Sequence, residues 1–575
     1  MKKIPRMLTL AIVCAVIGHV STRVGLTQGA SCLVTTFNGA VQGVDRGSSC
    51  AFLGIPFAAP PIGNLRWKSP QPAAVWAPAV LNATAPPPTC PQLNAATGLP
   101  AGSEDCLKLN VWTPNPLSQH APVIVWLHAG SFAAASANFA PNNGQNLAAL
   151  TGAIIVAPNY RLGPFGFLGH AALSSEGPSA GNYGLLDQRS ALEWVHDHIA
   201  AFGGDPRNVT IAGQSAGSHS VSLHLVSPGS AGLFHRAIME SGYASSHWRT
   251  AAEARVQGNE FAAALGCADT DASLLLGCLR SKSRDQVLLA RPPALFEQIL
   301  DIGRSQWTPI VDGFEIPDEP RLLYRRGAFR RVPVMLGANR DEGWTFVNRS
   351  FAGDVTLEQY EAAVDAEFGA DAAPILARYP AADFASPKDA LAQLAGDVEY
   401  VCEARRVARL IARTKTPVFL YSFEYEVDPV VPGRVPHGLE VNFVFGNNFG
   451  PPLFAPYVLG PTDLALSQVL GGYWTRFAAT GDPNLSRRER SPDRHHEDEA
   501  DDDDGGDGSV VRWPAFKHPS KRGHGSDEHR ADGSGKHIVF DVAIRVDTHL
   551  RDRQCDFWQP YFLRSITGSV PAGTP

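Results

Sequence analysis

The stretch Gly213-Gln214-Ser215-Ala216-Gly217 places a serine between two glycines, each two positions away. Val209 to Ala212 before it reads as a strand, and a helix-compatible run follows to about Leu225. On so sharp a strand-to-helix turn, glycine neighbours let the backbone pass closely and leave a serine hydroxyl exposed above the sheet. That is the setting of a nucleophile. The Ala216 N–H and the new helix N-terminus face the charge that develops on an attacked carbonyl oxygen. The plain alternative is a helix N-cap serine in a tight turn. In a chain with 54 glycines, G-x-S-x-G arises by chance often enough that the motif alone does not decide between them.

A serine hydroxyl is a poor nucleophile without a general base, and the base needs an orienting carboxylate. After such a turn the chain order is serine, then aspartate or glutamate, then histidine. The stretch GANRDEGWTF supplies Asp341 and Glu342 after a strand, and VPHGLEVNFVFG supplies His437. The order fits. His437 stands in a Pro-x-Gly loop, which suits a base reaching in, though a buried structural histidine fits the same residues. His219 lies one helical turn beyond Ser215 and is expected to point along the helix. His495 and His496 fall in a low-complexity run.

The elements that must hold these groups are legible as apolar runs: Val123 to Leu127, Ala153 to Ala157, Val209 to Ala212, Ala237 to Met239, Val332 to Leu336 and Val418 to Tyr421. Such runs suit parallel strands buried on both faces. Between them, Leu192, Val195, Ile199 and Phe202 recur at helical spacing. Alternating strands and helices predict an α/β fold with a large, mostly parallel sheet flanked by helices. The opening from Cys32 to Phe52 differs, alternating around Asn38-Gly39 like a small antiparallel hairpin. Cys32 and Cys50 flank this hairpin and would clip it shut.

The chain has 575 residues, 44% hydrophobic and 18% charged, enough for a large buried core. Its net charge is −7 and no basic patch with interleaved aromatics occurs, so no nucleic-acid partner is expected. Residues 1–30 resemble a secretory signal: Lys2, Lys3 and Arg6 precede the apolar run Met7 to Gly18, too short to span a bilayer comfortably. The expectation is a secreted or periplasmic protein with no stable membrane insertion after signal removal. Eight cysteines remain beyond Cys14, an even number suited to disulfides, and no C-x-x-C pair suggests a metal. A single catalytic domain is expected over 31–565. Two polar low-complexity insertions interrupt it near 485–509 and 517–536, read as solvated surface. The aspartates of the first fit no EF-hand register.

Blocks along nearly the whole chain resemble the type-B carboxylesterase family, which contains carboxylesterases and cholinesterases. They run from FLGIPFAAPPIGNLRW (Phe52 to Trp67) through SEDCLKLNVWTP, VIVWLHAGSF, NYRLGPFGFL, FGGDPRNVTIAGQSAGS, DEG and HGLEVNFVFG to CDFW (Cys555 to Trp558). The resemblance implies an α/β-hydrolase fold, a small-molecule ester substrate and ester hydrolysis with no metal or organic cofactor. It implies Ser215 as nucleophile, His437 as general base and Glu342 as the carboxylate, with Asp341 the weaker choice. The oxyanion donors would be the N–H groups of Gly130, Ser131 and Ala216. Ser241 would support the triad. Trp248 and Phe346 match aromatic positions on the acyl side of the pocket. The implied disulfides are Cys90–Cys106, Cys267–Cys278 and Cys402–Cys555.

Three departures carry information. The oxyanion loop reads His128-Ala129-Gly130-Ser131-Phe132 where the family has three consecutive glycines after the histidine. If either replaced position needs φ > 0, the cost is about 1 kcal/mol. Gln214 stands where the family mostly has glutamate, which removes a negative charge beside the nucleophile. The segment before Cys106, CPQLNAATGLPAGSED, lacks the tryptophan on which cholinesterases stack the choline cation. These departures point to neutral short-to-medium-chain or aryl esters. A lipase acting at lipid interfaces, or a non-catalytic cholinesterase-like binding or adhesion module on the same fold, are the competing readings.

Overall fold

Alternate residues of the central strands feed two separate apolar cores, one on each face of a sheet. Val123, Val125, Leu127, Ile211, Met239 and Leu336 belong to one. Ile124, Trp126, Ala212, Ile238, Met335 and Phe419 belong to the other. The period of two puts successive side chains on opposite faces, so a strand buried on both faces is apolar throughout. The computed structural model describes residues 32–244, 248–290, 307–451, 453–484, 511–517 and 535–564. The expected signal segment 1–30 and the insertion 485–509 lie outside the described residues, as does the insertion 517–536 except for Lys517, Gly535 and Lys536.

In chain order the strands are β1 (Leu33–Thr36), β2 (Gly39–Gln42), β3 (Val44–Asp45), β4 (Ser49–Pro56), β5 (Val80–Asn82), β6 (Gln92–Leu93), β7 (Pro100–Ala101) and β8 (Lys108–Pro114). They continue with β9 (Ala121–Leu127), β10 (Ile154–Pro158), β11 (Gly204–Gln214), β12 (Arg236–Glu240), β13 (Val334–Asn339), β14 (Val418–Phe423), β15 (His537–Phe540) and β16 (Arg545–Asp547). Among the described residues, eleven form one sheet in the order β16-β15-β14-β13-β12-β11-β9-β10-β8-β4-β3. From β15 to β10 all neighbours are parallel. The outer strands β16, β8, β4 and β3 pair antiparallel.

Helices Tyr183–His198, Ala216–Val226 and Cys402–Ala412 contribute to the first core, with Leu192, Val221 and Val407 among their buried residues. Helices Gln145–Thr151, Glu440–Phe445 and Pro461–Thr480 contribute Leu147, Phe443 and Trp474 to the second. The arrangement is the α/β-hydrolase fold that the sequence predicts. The strand expected from Val332 begins two residues later, because Val332 N–H turns back to the Arg330 carbonyl. β10 and β11 flank β9 on opposite sides, so the chain reverses its direction of travel across the sheet at β9. Open α/β sheets take their ligands outside the strand C-termini at such a point.

The small hairpin is present, but its turn is Phe37-Asn38, one residue earlier than the sequence suggests. Gly39 is drawn into the ladder opposite Thr36, and the Trp76 indole donates to the next carbonyl, Ala40 (2.9 Å). β5 adds a third strand, parallel to β2. The Cys32–Cys50 disulfide joins the start of β1 to β4, so it ties the small sheet to the large one. Cys90–Cys106, Cys267–Cys278 and Cys402–Cys555 are also bonded. The Asn484 side chain donates to the Trp513 carbonyl (2.9 Å) and accepts from its N–H (2.7 Å). Trp513 then enters the second core, its indole N–H donating to Leu420 O of β14 (3.0 Å). Among the described residues no helix is long and apolar enough to cross a membrane.

Candidate active site

Ser215 sits between β11 and the helix Ala216–Val226 with φ 55° and ψ −123°. A non-glycine residue there is strained, and such strain persists only where the surroundings over-determine it. Here Ser215 N–H donates to Glu240 O (2.9 Å), and Ser215 O accepts from His219 N–H (2.8 Å). Gly217 lets the helix start against the end of β9. A Cβ there would come within 1.9 Å of Leu127 O. The elbow and the loop after β9 therefore meet at the reversal point of the sheet.

His437 and Glu342 arrive on loops beyond the neighbouring strand ends. His437 Nδ1–H donates to Glu342 Oε2 at 2.5 Å. Glu342 Oε1 accepts from Ser241 Oγ–H (2.5 Å) and from Asn339 N–H (2.6 Å). The carboxylate is fully buried, and three donors fix its orientation. Asp341 does different work. Its carboxylate accepts from Val435 N–H (2.8 Å) and Arg340 Nε–H (2.9 Å), and its backbone bridges Pro436. It pins the loop that carries His437 and leaves the imidazole to Glu342.

With Nδ1 carrying the proton, Nε2 of His437 is an acceptor. The Gln214 amide nitrogen lies 3.1 Å from it. Among the described residues no hydrogen bond joins the Ser215 hydroxyl to His437. Gln214 is thus a direct neighbour of the base, closer than its expected supporting role. Catalytic hydrogen bonds are often unformed before substrate binds.

The loop after β9 holds Gly130 at φ 111°, Ser131 at 51°, Phe132 at 57° and Ala135 at 72°. Of the two replaced glycines, Ser131 therefore carries the strain and Ala129 does not. Gly130 is required in a second way, since a Cβ there would meet Ala134 O at 2.2 Å. The Gln92 amide clamps Ala135 through its N–H (2.9 Å) and its carbonyl (3.0 Å). Tyr160 stacks on His128 at 4.2 Å and donates to its carbonyl at 2.7 Å. Burial lowers the His128 pKa to about 4, so it serves as a neutral buttress. Among the described residues the N–H groups of Gly130, Ser131 and Ala216 have no protein acceptor.

The two expected aromatic wall residues take separate places. Trp248 meets Phe132 and His219, with ring centres 6.3 and 5.7 Å apart. Phe346 rests on His437 at 5.0 Å and stacks on Tyr400 at 5.8 Å. Tyr400 also touches the His437 ring, 4.9 Å away. It belongs to a π-helical turn, Asp397–Val401, a form common beside functional sites. Sequence reasoning misses Tyr400, Asn339 and two buried acids behind Glu342 and His437, because no motif marks them. Glu240 accepts from the Trp474 indole (2.6 Å), and burial pushes its pKa up to about 8. Glu440 accepts from the Asn339 amide, and burial with the charges of Glu240 and Glu342 raises its pKa well above the usual range. Among the described residues no cluster of three His, Cys, Asp or Glu side chains is placed to hold a metal ion.

A serine on a strained elbow, a carboxylate-oriented imidazole and three free N–H groups are the components of acyl transfer. A family model described as the carboxylesterase family matches residues 30–558, nearly the whole chain. The chain belongs to the carboxylesterase family, whose chemistry is carboxylic-ester hydrolysis on an α/β-hydrolase fold.

Proposed function

We propose that this chain is a serine carboxylesterase that hydrolyses neutral short-to-medium-chain or aryl esters through an acyl-enzyme. The observation that supports this most is the hydrogen-bonded line Ser241–Glu342–His437 ending beside the Ser215 elbow. Ester binding draws Nε2 of His437 from the Gln214 amide to the Ser215 hydroxyl. Ser215 Oγ attacks the carbonyl carbon while Nε2 takes its proton. The carbonyl oxygen becomes an oxyanion held by the N–H groups of Gly130, Ser131 and Ala216. The carbon–oxygen bond to the alcohol breaks as His437 returns the proton to the leaving oxygen. Water then repeats the sequence on the acyl-enzyme and frees the acid and Ser215.

Gln214 and the missing aromatic residue before Cys106 support neutral substrates over quaternary ammonium ones. The signal-like residues 1–30 and four disulfides support an exported, secreted or periplasmic protein. Labelling with a fluorophosphonate probe, and turnover of p-nitrophenyl esters from acetate to hexanoate, test the reading. Ser215→Ala is expected to lose labelling and to cut turnover by about 10⁴-fold or more with folding intact. Undiminished turnover overturns the assignment of Ser215. A steep preference for acetate over butyrate and hexanoate overturns the short-to-medium-chain range. Failure of the unaltered protein to label supports the non-catalytic reading, and activity that jumps above the substrate's critical micelle concentration supports a lipase.

A further inference from the structure

From Ser215 through Val226, every residue is buried except two, Ser215 and His219. Gly242 lies against both, since a Cβ there would meet Ser215 O at 2.5 Å and His219 Cδ2 at 3.2 Å, and the charge of His437 bears on the His219 ring. The space that reaches His219 is therefore the space that reaches the nucleophile. His219 Nδ1 lies 2.9 Å from Tyr243 O. A carbonyl only accepts, so Nδ1 carries the proton and Nε2 keeps a lone pair. Burial lowers the ring's pKa to about 4, which keeps that lone pair free at neutral pH. Among the described residues Nε2 has no hydrogen-bond partner, and it is not among the side-chain polar atoms sealed from solvent.

The described wall beside this acceptor is aromatic. The His219 ring stands edge-on to Trp248, which in turn meets Phe132. The leaving alcohol must sit by His437, the group that protonates it, and the rings of Phe346 and Tyr400 flank that side. The acyl group then extends along the other wall, past His219 and Trp248. We infer that His219 Nε2 is a specificity point in this wall, accepting a hydrogen bond from a hydroxyl on the acyl group, so that esters of hydroxyacyl or hydroxyaryl acids are preferred. The inference rests on the esterase reading and deepens it. An apolar wall alone discriminates weakly, whereas an acceptor that a plain acyl chain leaves unpaired discriminates against that chain.

The test compares kcat/KM for p-nitrophenyl 3-hydroxybutyrate and p-nitrophenyl butyrate, with fluorophosphonate labelling of the same preparations. The unaltered enzyme is expected to favour the hydroxyacyl ester about tenfold, the scale of one well-placed hydrogen bond. His219→Phe is expected to bring the ratio close to one. His219→Gln, which offers both a donor to Tyr243 O and an acceptor, is expected to keep most of the preference. A ratio near or below one in the unaltered enzyme overturns the inference, as does an undiminished ratio in His219→Phe. If His219→Phe does not fold, the ratios of the unaltered enzyme and His219→Gln decide. Normal labelling with no preference condemns the His219 assignment alone. Absence of both labelling and turnover condemns the esterase reading and this inference with it.

Discussion

Gln214 carries more consequence than its letter in the motif suggests. It is 3% exposed, next to Ser215, and its amide faces the His437 lone pair that the proposed reaction uses. Gln214→Glu would place a carboxylate there. The kcat/KM for a choline ester, relative to its uncharged 3,3-dimethylbutyl isostere, is expected to rise roughly fivefold and to lose part of that gain in high salt. A salt-independent or unchanged ratio would show that charge at this position does not select substrates. At this scale the sequence was informative where a motif concentrates chemistry. Ser215, Glu342 and His437 stand out as candidates because order and spacing constrain them, and the structure places Glu342 in hydrogen-bond contact with His437. The family resemblance ranks Glu342 above Asp341, and the structure adds the direction of each carboxylate, Glu342 toward His437 and Asp341 toward Val435 and Arg340. Tyr400 was invisible, since nothing in its neighbourhood announces that a π-helical turn will swing it onto His437.

Strands, turns and helices hold the site through a few tie points. The helix Cys402–Ala412 follows directly on the turn that carries Tyr400, and Cys402 is bonded to Cys555 in the helix Asp552–Arg564. The bond closes a separation of 153 residues. Loop entropy alone assigns about 5 kcal/mol to such a closure, an upper figure because unfolded chains retain structure. The Cys402→Ser, Cys555→Ser double variant is expected to be about 2–5 kcal/mol less stable in denaturant titration. Its kcat is also expected to fall below the unfolding transition, because the Tyr400 turn loses its anchor. Equal kcat at equal folded fraction would confine the bond's role to stability. Elements were legible where burial on both faces forces continuous apolar runs, as in β9 and β13. They were less so where a neighbour overrides local preference. Gly39 suits a hairpin turn, yet it joins the ladder.

Across the whole molecule, the centre of the sheet holds charge-bearing groups in an apolar setting. Glu240, at the C-terminal end of β12, is fully buried, and among the described residues its Oε2 has no hydrogen-bond partner. Its pKa is raised from 4.5 to about 8 by burial. The fold therefore favours the protonated acid. That contribution is complete below about pH 4.5 and is lost as pH rises through about 8. Glu240→Gln, which imitates the protonated acid, is expected to melt higher than the unaltered protein at pH 9, by roughly 1–3 kcal/mol. The advantage should vanish near pH 4.5. Thermal melts of both proteins across that range check the sign, and a constant difference would assign the effect to packing. Composition foretold a large buried core. It did not foretell acids within it, because burial of a carboxylate depends on strands far apart in sequence.

The clasp between Asn484 and Trp513 makes the 26 residues between Asn484 and Val511 a detour that leaves and rejoins the chain within hydrogen-bond reach. Closing such a detour grows costlier only slowly with its length, and closely spaced chain ends are where grafts are tolerated. The position is therefore expected to serve as a port. A foreign domain or reporter spliced between Leu485 and Val510 would meet a framework already joined on both sides. The last residue of the proposed triad, His437, precedes it, so cargo can be exchanged there while the order of the proposed catalytic segments stays intact.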